Sequence, residues 1–142
     1  MNRQSFPFMC SVIFVSALLF SANLHAAPDN NTIVASQAEV DGLQLAYSTL
    51  AEANHNYFGH RKAAMKQIQA AAQLLGIDLQ GDGQGKEEQN QSDTQLAQVQ
   101  QLLQQLGATL TSEEQKPVLE HIDKAVKRIS MALMDRAIEE GK

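Results

Sequence analysis

From residue 36 onward the apolar positions of this chain recur at intervals of three and four, the signature of one buried stripe along a helix. Val40, Leu43, Tyr47, Leu50, Ala53 and Tyr57 make the first stripe, and Ser36-Gln37-Ala38-Glu39 ahead of it reads as a capping box, so a helix is expected over about 37–54. Asn54-His55-Asn56 breaks the pattern, and the Asn56 side chain can cap a second helix over about 57–78, with its stripe at His60, Ala64, Ile68, Ala71 and Leu75. Alanine gives that segment strong intrinsic helicity, and Gly76 places its stop between Leu75 and Leu79. A second capping box, Ser92-Asp93-Thr94-Gln95, opens a helix over about 93–109, with Leu96, Val99, Leu103, Leu106 and Leu110 inward and glutamine on its other faces. The fourth stripe, Val118, Ile122, Ala125, Ile129 and Leu133, predicts a helix over about 113–139, capped by Thr111 or Ser112. Pro117 then falls beyond the first turn, so the helix either kinks there or starts late, near 116.

Helix, tight corner, helix occurs twice. Shifting by 54 superposes Ala64 on Val118, Ile68 on Ile122, Ala71 on Ala125 and Leu75 on Ile129, and shifting by 53 superposes Leu43 on Leu96 and Leu50 on Leu103. The expected fold is all-α, two tandem αα-hairpins packed as a four-helix bundle, each hairpin covering the other's stripe. The first hairpin spans 36–79 and the second 92–142, forming one domain. Between them lies 80–91, QGDGQGKEEQNQ, with three glycines and no apolar residue, a flexible linker by composition.

The amino terminus has a different pattern. Arg3, an apolar run over 6–20 and small residues over 21–27 follow the order of a secretory signal peptide, cleaved after Ala26 and leaving a mobile leader over 27–35. The run is about 15 residues, short of the roughly 20 that a spanning helix needs. Cleavage removes Cys10, the single cysteine, and Cys10 is too early in the run to be a lipidation site. The full chain carries 11 cations against 16 anions, and no run of Lys and Arg stands out along the sequence. The electrostatic footprint of a nucleic-acid binder is therefore missing, and association with an anionic membrane is disfavoured.

Candidate chemistry concentrates at the first corner, where Asn56, Tyr57, His60 and Arg61 gather near a helix N-terminus that favours anions. These four are the candidate ligand-binding residues, for a small anion or carboxylate. The alternative gives each a local structural role, with His60 bonding the last carbonyls of the first helix, Arg61 pairing with an acid such as Glu52, and Gly59 permitting close contact. His55, His60 and His121 lack the i, i+3 or i+4 spacing of helical metal ligands, and no metal site is assigned. Counted as a calcium loop from Asp78, the linker places Gln89 where the bidentate acid belongs. There is no CxxCH haem motif and no nucleophile or carboxylate pair in a catalytic context, so neither cofactor nor enzymatic activity is expected.

Tyr57-Phe58-Gly59-His60-Arg61, followed by Ala64, Ile68, Ala71 and Leu75, resembles a group of small exported bacterial all-helical proteins of unassigned function. They share an aromatic-x-Gly-His-Arg corner, and the resemblance covers about 25 residues well. It implies an exported helical domain and brings no activity. Leu110-Thr111-Ser112-Glu113-Glu114-Gln115 is similar to the Leu-Thr-x-x-Gln motif of periplasmic helical-hairpin stress chaperones, but has three residues between Thr and Gln and occurs once rather than in paired copies. The expectation is a non-enzymatic helical bundle in the periplasm or secreted, acting by protein contact or in a structural role. The alternative is a small-ligand, anion or metal module centred on His55, His60 and Arg61.

Overall fold

Ser36 starts the first helix as its sequence requires. Its hydroxyl accepts from the Glu39 amide at 3.3 Å, and the Glu39 carboxylate accepts from the Ser36 amide at 2.7 Å, closing the capping box at the head of α1 (Gln37–Glu52). The computed structural model describes residues 33–54, 57–81 and 88–141. In them α1 is followed by α2 (His60–Leu74), α3 (Gln89–Thr109) and α4 (Lys116–Glu140), with a single 3-10 turn, Glu113–Gln115, leading into α4. The described chain is an all-α four-helix bundle without strands, the class its periodicity predicts.

The helix ends differ from the pattern where local chemistry overrides it. α2 begins at His60 rather than Tyr57, because Phe58 and Gly59 both take positive φ (48° and 82°) and the His60 amide donates to the Tyr57 carbonyl at 2.7 Å. This is a turn of the I′ kind, and Gly59 rather than Asn56 is the residue before the helix. Asn56 and His55 lie outside the described residues, as do the signal segment and most of the leader. α2 stops at Leu74, earlier than the expected 75–79. Gly76 adopts φ 68°, and the Ile77 amide reaches back to Ala72 O at 2.9 Å while Gly76 N bonds Gln73 O at 3.0 Å, a Schellman closure.

α3 begins at Gln89 instead of 93, and the expected box at Ser92 does not form. Ser92 is buried within the first turn, where its hydroxyl donates to Glu88 O at 3.0 Å and accepts from the Asn54 amide at 2.8 Å. Serving the end of another helix thus replaces serving its own. Ser112 does close a box with Gln115 around the 3-10 turn, and α4 starts late, at Lys116. Pro117 then sits in the first turn, where its missing N–H costs no helical bond.

Each helix packs on two neighbours, in the order α1, α2, α4, α3 and back to α1, with α2 and α4 sharing the largest interface. Every neighbouring pair is antiparallel. Asn54 meets Ser92 and Gly42 faces Leu106 between α1 and α3; His60 meets Asp135 and Gln67 meets His121 between α2 and α4; Gln100 meets Ser130 and Gly107 faces Leu119 between α3 and α4. The parallel pairs, α1 with α4 and α2 with α3, fall on the diagonals. Because α2 and α3 run the same way, the segment joining them must return along the bundle, a path of roughly 30 Å at 1.5 Å per helical residue. Its first part is held on α1. Gln44 Nε2 donates to Gln80 O at 3.1 Å, the Gln80 amide donates to Gln44 Oε1 at 3.2 Å, and Gly81 lies against Tyr47. The composition suggested a flexible linker over 80–91; instead Gln80 and Gly81 are docked on α1 and 89–91 form the first turn of α3, while residues 82–87 lie outside the described set.

The core contains most of the four predicted stripes, with Leu43, Leu50, Ile68, Leu96, Leu103, Ile122 and Ile129 among its fully buried members. Alanine at 46, 64, 71, 125 and 132 keeps the helices close. Gly76→Ala should lower stability by about 1 kcal/mol in urea denaturation, since a Cβ there has open space and only the positive φ opposes it. Gly42→Ala should raise stability by up to about 1 kcal/mol, because the added Cβ would meet Leu106 at an ordinary 3.7 Å and helix propensity favours it. Equal effects of the two changes would contradict the assignment of Gly76 as a left-handed helix stop.

Candidate functional site

The corner between α1 and α2 is built around Arg61. The I′ turn reverses the chain so that the second residue of α2 points back beneath the end of α1, where Arg61 is 1 % exposed. Its Nη1 donates to Leu50 O at 2.5 Å and to Ala51 O at 3.2 Å. These are carbonyls of the last turn of α1, left without intrahelical partners and carrying the negative end of the helix dipole. Burial pushes the Arg61 pKa below its ordinary value and the neighbouring Tyr57 acts in the opposite direction, yet a guanidinium in a protein stays protonated. The positive charge therefore stays inside the bundle, matched to a helix terminus.

Tyr57 is fully buried, and its hydroxyl donates to Asp93 Oδ1 at 2.6 Å, tying the corner to α3. His60 faces α4 instead, with Nε2 at 3.2 Å from Asp135 Oδ2. The carbonyls of α1 expected to receive His60 are thus taken by Arg61, and His60 is paired with an acid of α4. Tyr57, His60 and Arg61 reach three different helices, α3, α4 and α1 respectively. Asn56 and His55, the other two corner candidates, lie outside the described residues.

The remaining histidine of the bundle, His121, contacts Gln67 Oε1 through Nδ1 at 2.8 Å, two helical turns along α2 from His60. Among the described residues no three His, Cys, Asp or Glu side chains come together in a metal-binding arrangement. Of the acids weighed as a calcium loop, Asp78 accepts from Gln80 Nε2 at 3.3 Å, whereas Asp82 and Glu87 are outside the described set. No helix among the described residues is long and apolar enough to cross a membrane.

Two surface features went unnoticed in the sequence. Phe58, the first positive-φ residue of the turn, is 65 % exposed, and with Asp135, Ile138 and Glu139 it lines an open cavity of about 430 Å³. Ile138 is exposed, as is Met134 one turn before it on the same face of α4. The first stripe ends at Tyr57, and Phe58, read only as a member of the corner motif, gave no sign of facing water. The second feature is a cavity of about 330 Å³ lined by Gln67 of α2 and by Lys124, Lys127, Arg128 and Met131 of α4. Ala125 and Val126 separate these cations along the chain, and helical spacing is what gathers them.

Comparison of the chain with known families, with curated proteins and with solved structures yields no match. In the corner's own geometry Arg61 is a buried cation on the terminal carbonyls of α1. Arg61→Met should destabilise the protein by about 3 kcal/mol, because two carbonyls lose their buried donor and the methionine cannot replace it. Arg61→Lys should recover less than half of that loss, since one ammonium cannot reproduce the guanidinium's planar set of donors. His60→Gln, at a half-buried pair, should cost under about 1 kcal/mol. Chemical denaturation of the three variants tests the ranking; equal costs at 60 and 61 would remove Arg61 from its central place.

Proposed function

We propose that this protein is an exported, non-enzymatic helical bundle that acts by contact with another protein, and that the contact surface is the corner end of the bundle around Phe58. One observation carries the reading. A bulky aromatic residue in the left-handed region costs roughly 1–2 kcal/mol, and Phe58, 65 % exposed, recovers little of it by burial in its own fold. Strain of this kind at an exposed side chain is what a recognition element has and what a purely structural turn, where glycine or asparagine would serve, does not. Ile138 and Met134 extend the apolar surface, and Asp135 and Glu139 border it with carboxylates. The chain's formal charge of −5 acts in the same sense. The partner is accordingly a protein segment offering an apolar anchor between basic residues.

Export is supported by the charged, apolar and small segments of residues 3–27, and the resemblance of the corner to small exported helical proteins points the same way. The tandem repetition of one hairpin unit belongs to this reading too, resting on the matched stripes at shifts of 53 and 54. A ligand site formed jointly by His55, His60 and Arg61 is the weaker alternative, because Arg61 is buried with Nη1 on α1 carbonyls.

Phe58→Gly separates fold from contact. It should leave stability unchanged or raise it by up to about 1 kcal/mol, since glycine takes positive φ freely, while removing the anchor. A photo-crosslinking residue at 58 or 138 in the producing cell should give one discrete adduct, absent with the probe at exposed Gln105 and suppressed by Met134→Ser. Adducts at all three positions, or at none, would sink the contact reading. Amino-terminal sequencing of the protein from the exported fraction should begin at Ala27; recovery of an intact Met1 terminus in the cytoplasm would overturn export.

A further inference from the structure

The cavity between α2 and α4 has a composition unlike the rest of the surface. Lys124, Lys127, Arg128 and Met131 stand at i, i+3, i+4 and i+7 of α4, so all four project from one face. In a chain with 11 cations against 16 anions, three cations line this single space of about 330 Å³. Lys124 is engaged by Glu120 at 2.6 Å, which holds the Glu120 carboxyl below its usual range through that hydrogen bond and the lysine's charge. Among the described residues Lys127 and Arg128 make no ion pair, although Asp123 stands only four residues before Lys127. Arg136, by contrast, is spent on two carboxylates, Glu139 at 3.1 Å and Glu140 at 2.7 Å. The opposite wall is the Gln67 amide, fixed by its contact with His121, and the thioether of Met131 closes one side with an apolar surface.

We infer that this cavity is an anion site for a phosphate group, with Arg128 and Lys127 as its principal ligands, Lys124 exchanging Glu120 for the anion, and Met131 covering the apolar part of the molecule that carries the phosphate. Guanidinium matches the tetrahedral oxygens two at a time, and a second cation one turn away adds charge that a single carboxylate would not need. The site is separate from the corner: its residues belong to the middle of α4 and to α2 two turns beyond His60, and its ligand chemistry is opposite in charge to the partner inferred for Phe58. The same phosphate chemistry is available from a free phosphorylated solute and from a lipid headgroup.

The test is a titration of the full protein, followed by amide NMR shifts at constant ionic strength, with inorganic phosphate, inorganic diphosphate, and phosphatidylcholine vesicles with and without phosphatidic acid. Saturable shifts centred on residues 67 and 124–131 are expected. Arg128→Gln should weaken the dissociation constant by about tenfold, Lys127→Gln by less, and Lys62→Gln, an exposed cation outside the cavity, by under about twofold. Saturation by diphosphate identifies a free phosphorylated solute, and response only to vesicles containing phosphatidic acid identifies the headgroup. Absence of saturation in every arm, or equal loss in Arg128→Gln and Lys62→Gln, overturns the site. Far-ultraviolet circular dichroism of each variant establishes that the bundle is intact before its affinity is read.

Discussion

The contact between the Arg61 guanidinium and the carbonyls of Leu50 and Ala51 is the constraint on which the arrangement of this bundle depends. A helix that ends inside a fold leaves carbonyls that must find donors, and α1 ends against the bundle with no basic residue in its own last turn. The donor has to come from elsewhere in the chain, and it comes from ten and eleven residues later. That is feasible only if the intervening segment turns back within a few residues, which the positive φ angles of Phe58 and Gly59 accomplish. Once Arg61 is inserted, the axis of α2 relative to α1 follows, and Ala64, Ile68 and Ala71 are delivered to the core. The strained turn and the buried charge are two aspects of a single solution.

Polar ties at both ends then fix the other helices around that hairpin. At the corner end, Tyr57 reaches Asp93 and the Asn54 amide reaches Ser92, so the start of α3 is bonded to the end of α1 and to the turn. At the far end the two capping boxes are joined to each other: Gln115, the closing residue of the Ser112 box, donates through Nε2 to Glu39 Oε1 at 3.0 Å, the closing residue of the Ser36 box. Glu39 is buried for this reason, having satisfied both its oxygens. Each end of the bundle thus places helix starts beside helix ends. Antiparallel neighbours on all four sides suit the dipoles as well as the packing, which accounts for a connection that must travel the length of the molecule between α2 and α3.

What could be read from the sequence was what depends on local chemistry and on period. The Ser36 box, the stripes of α3 and α4 and the late start of α4 at Pro117 follow from neighbours three and four residues apart, and the structure contains them. Ser92 carries the same local signal as Ser36, yet its hydroxyl serves Asn54, a residue 38 positions away, and α3 consequently starts a turn earlier. No local rule distinguishes the two serines. Likewise the corner's composition indicated that His60 and Arg61 both have partners there, but which of them faces the carbonyls depends on a turn type set by Phe58, a residue that ordinarily avoids positive φ. The cationic cavity was hidden for a related reason: Lys124 is separated from Lys127 and Arg128 by apolar residues in the chain, and the three meet Gln67 of α2 only in the packed bundle.

The outer face of α4 gathers what the interior does not use. Its inward positions are aliphatic and its last turns are locked by the pairing of Arg136 with Glu139 and Glu140. Along the outward face, Lys127 and Arg128 lack carboxylate partners among the described residues, and Met134 and Ile138 are exposed. A helix selected only to complete a bundle would pair its charges at i, i+4 and keep its exposed turns polar, as Glu120 and Lys124 do. The buried face of α4 already satisfies the fold, and it is these departures on the other face that the two proposals rest on. The acidic, apolar end beside Phe58 and the basic middle differ in charge, so the two proposals assign them different ligands.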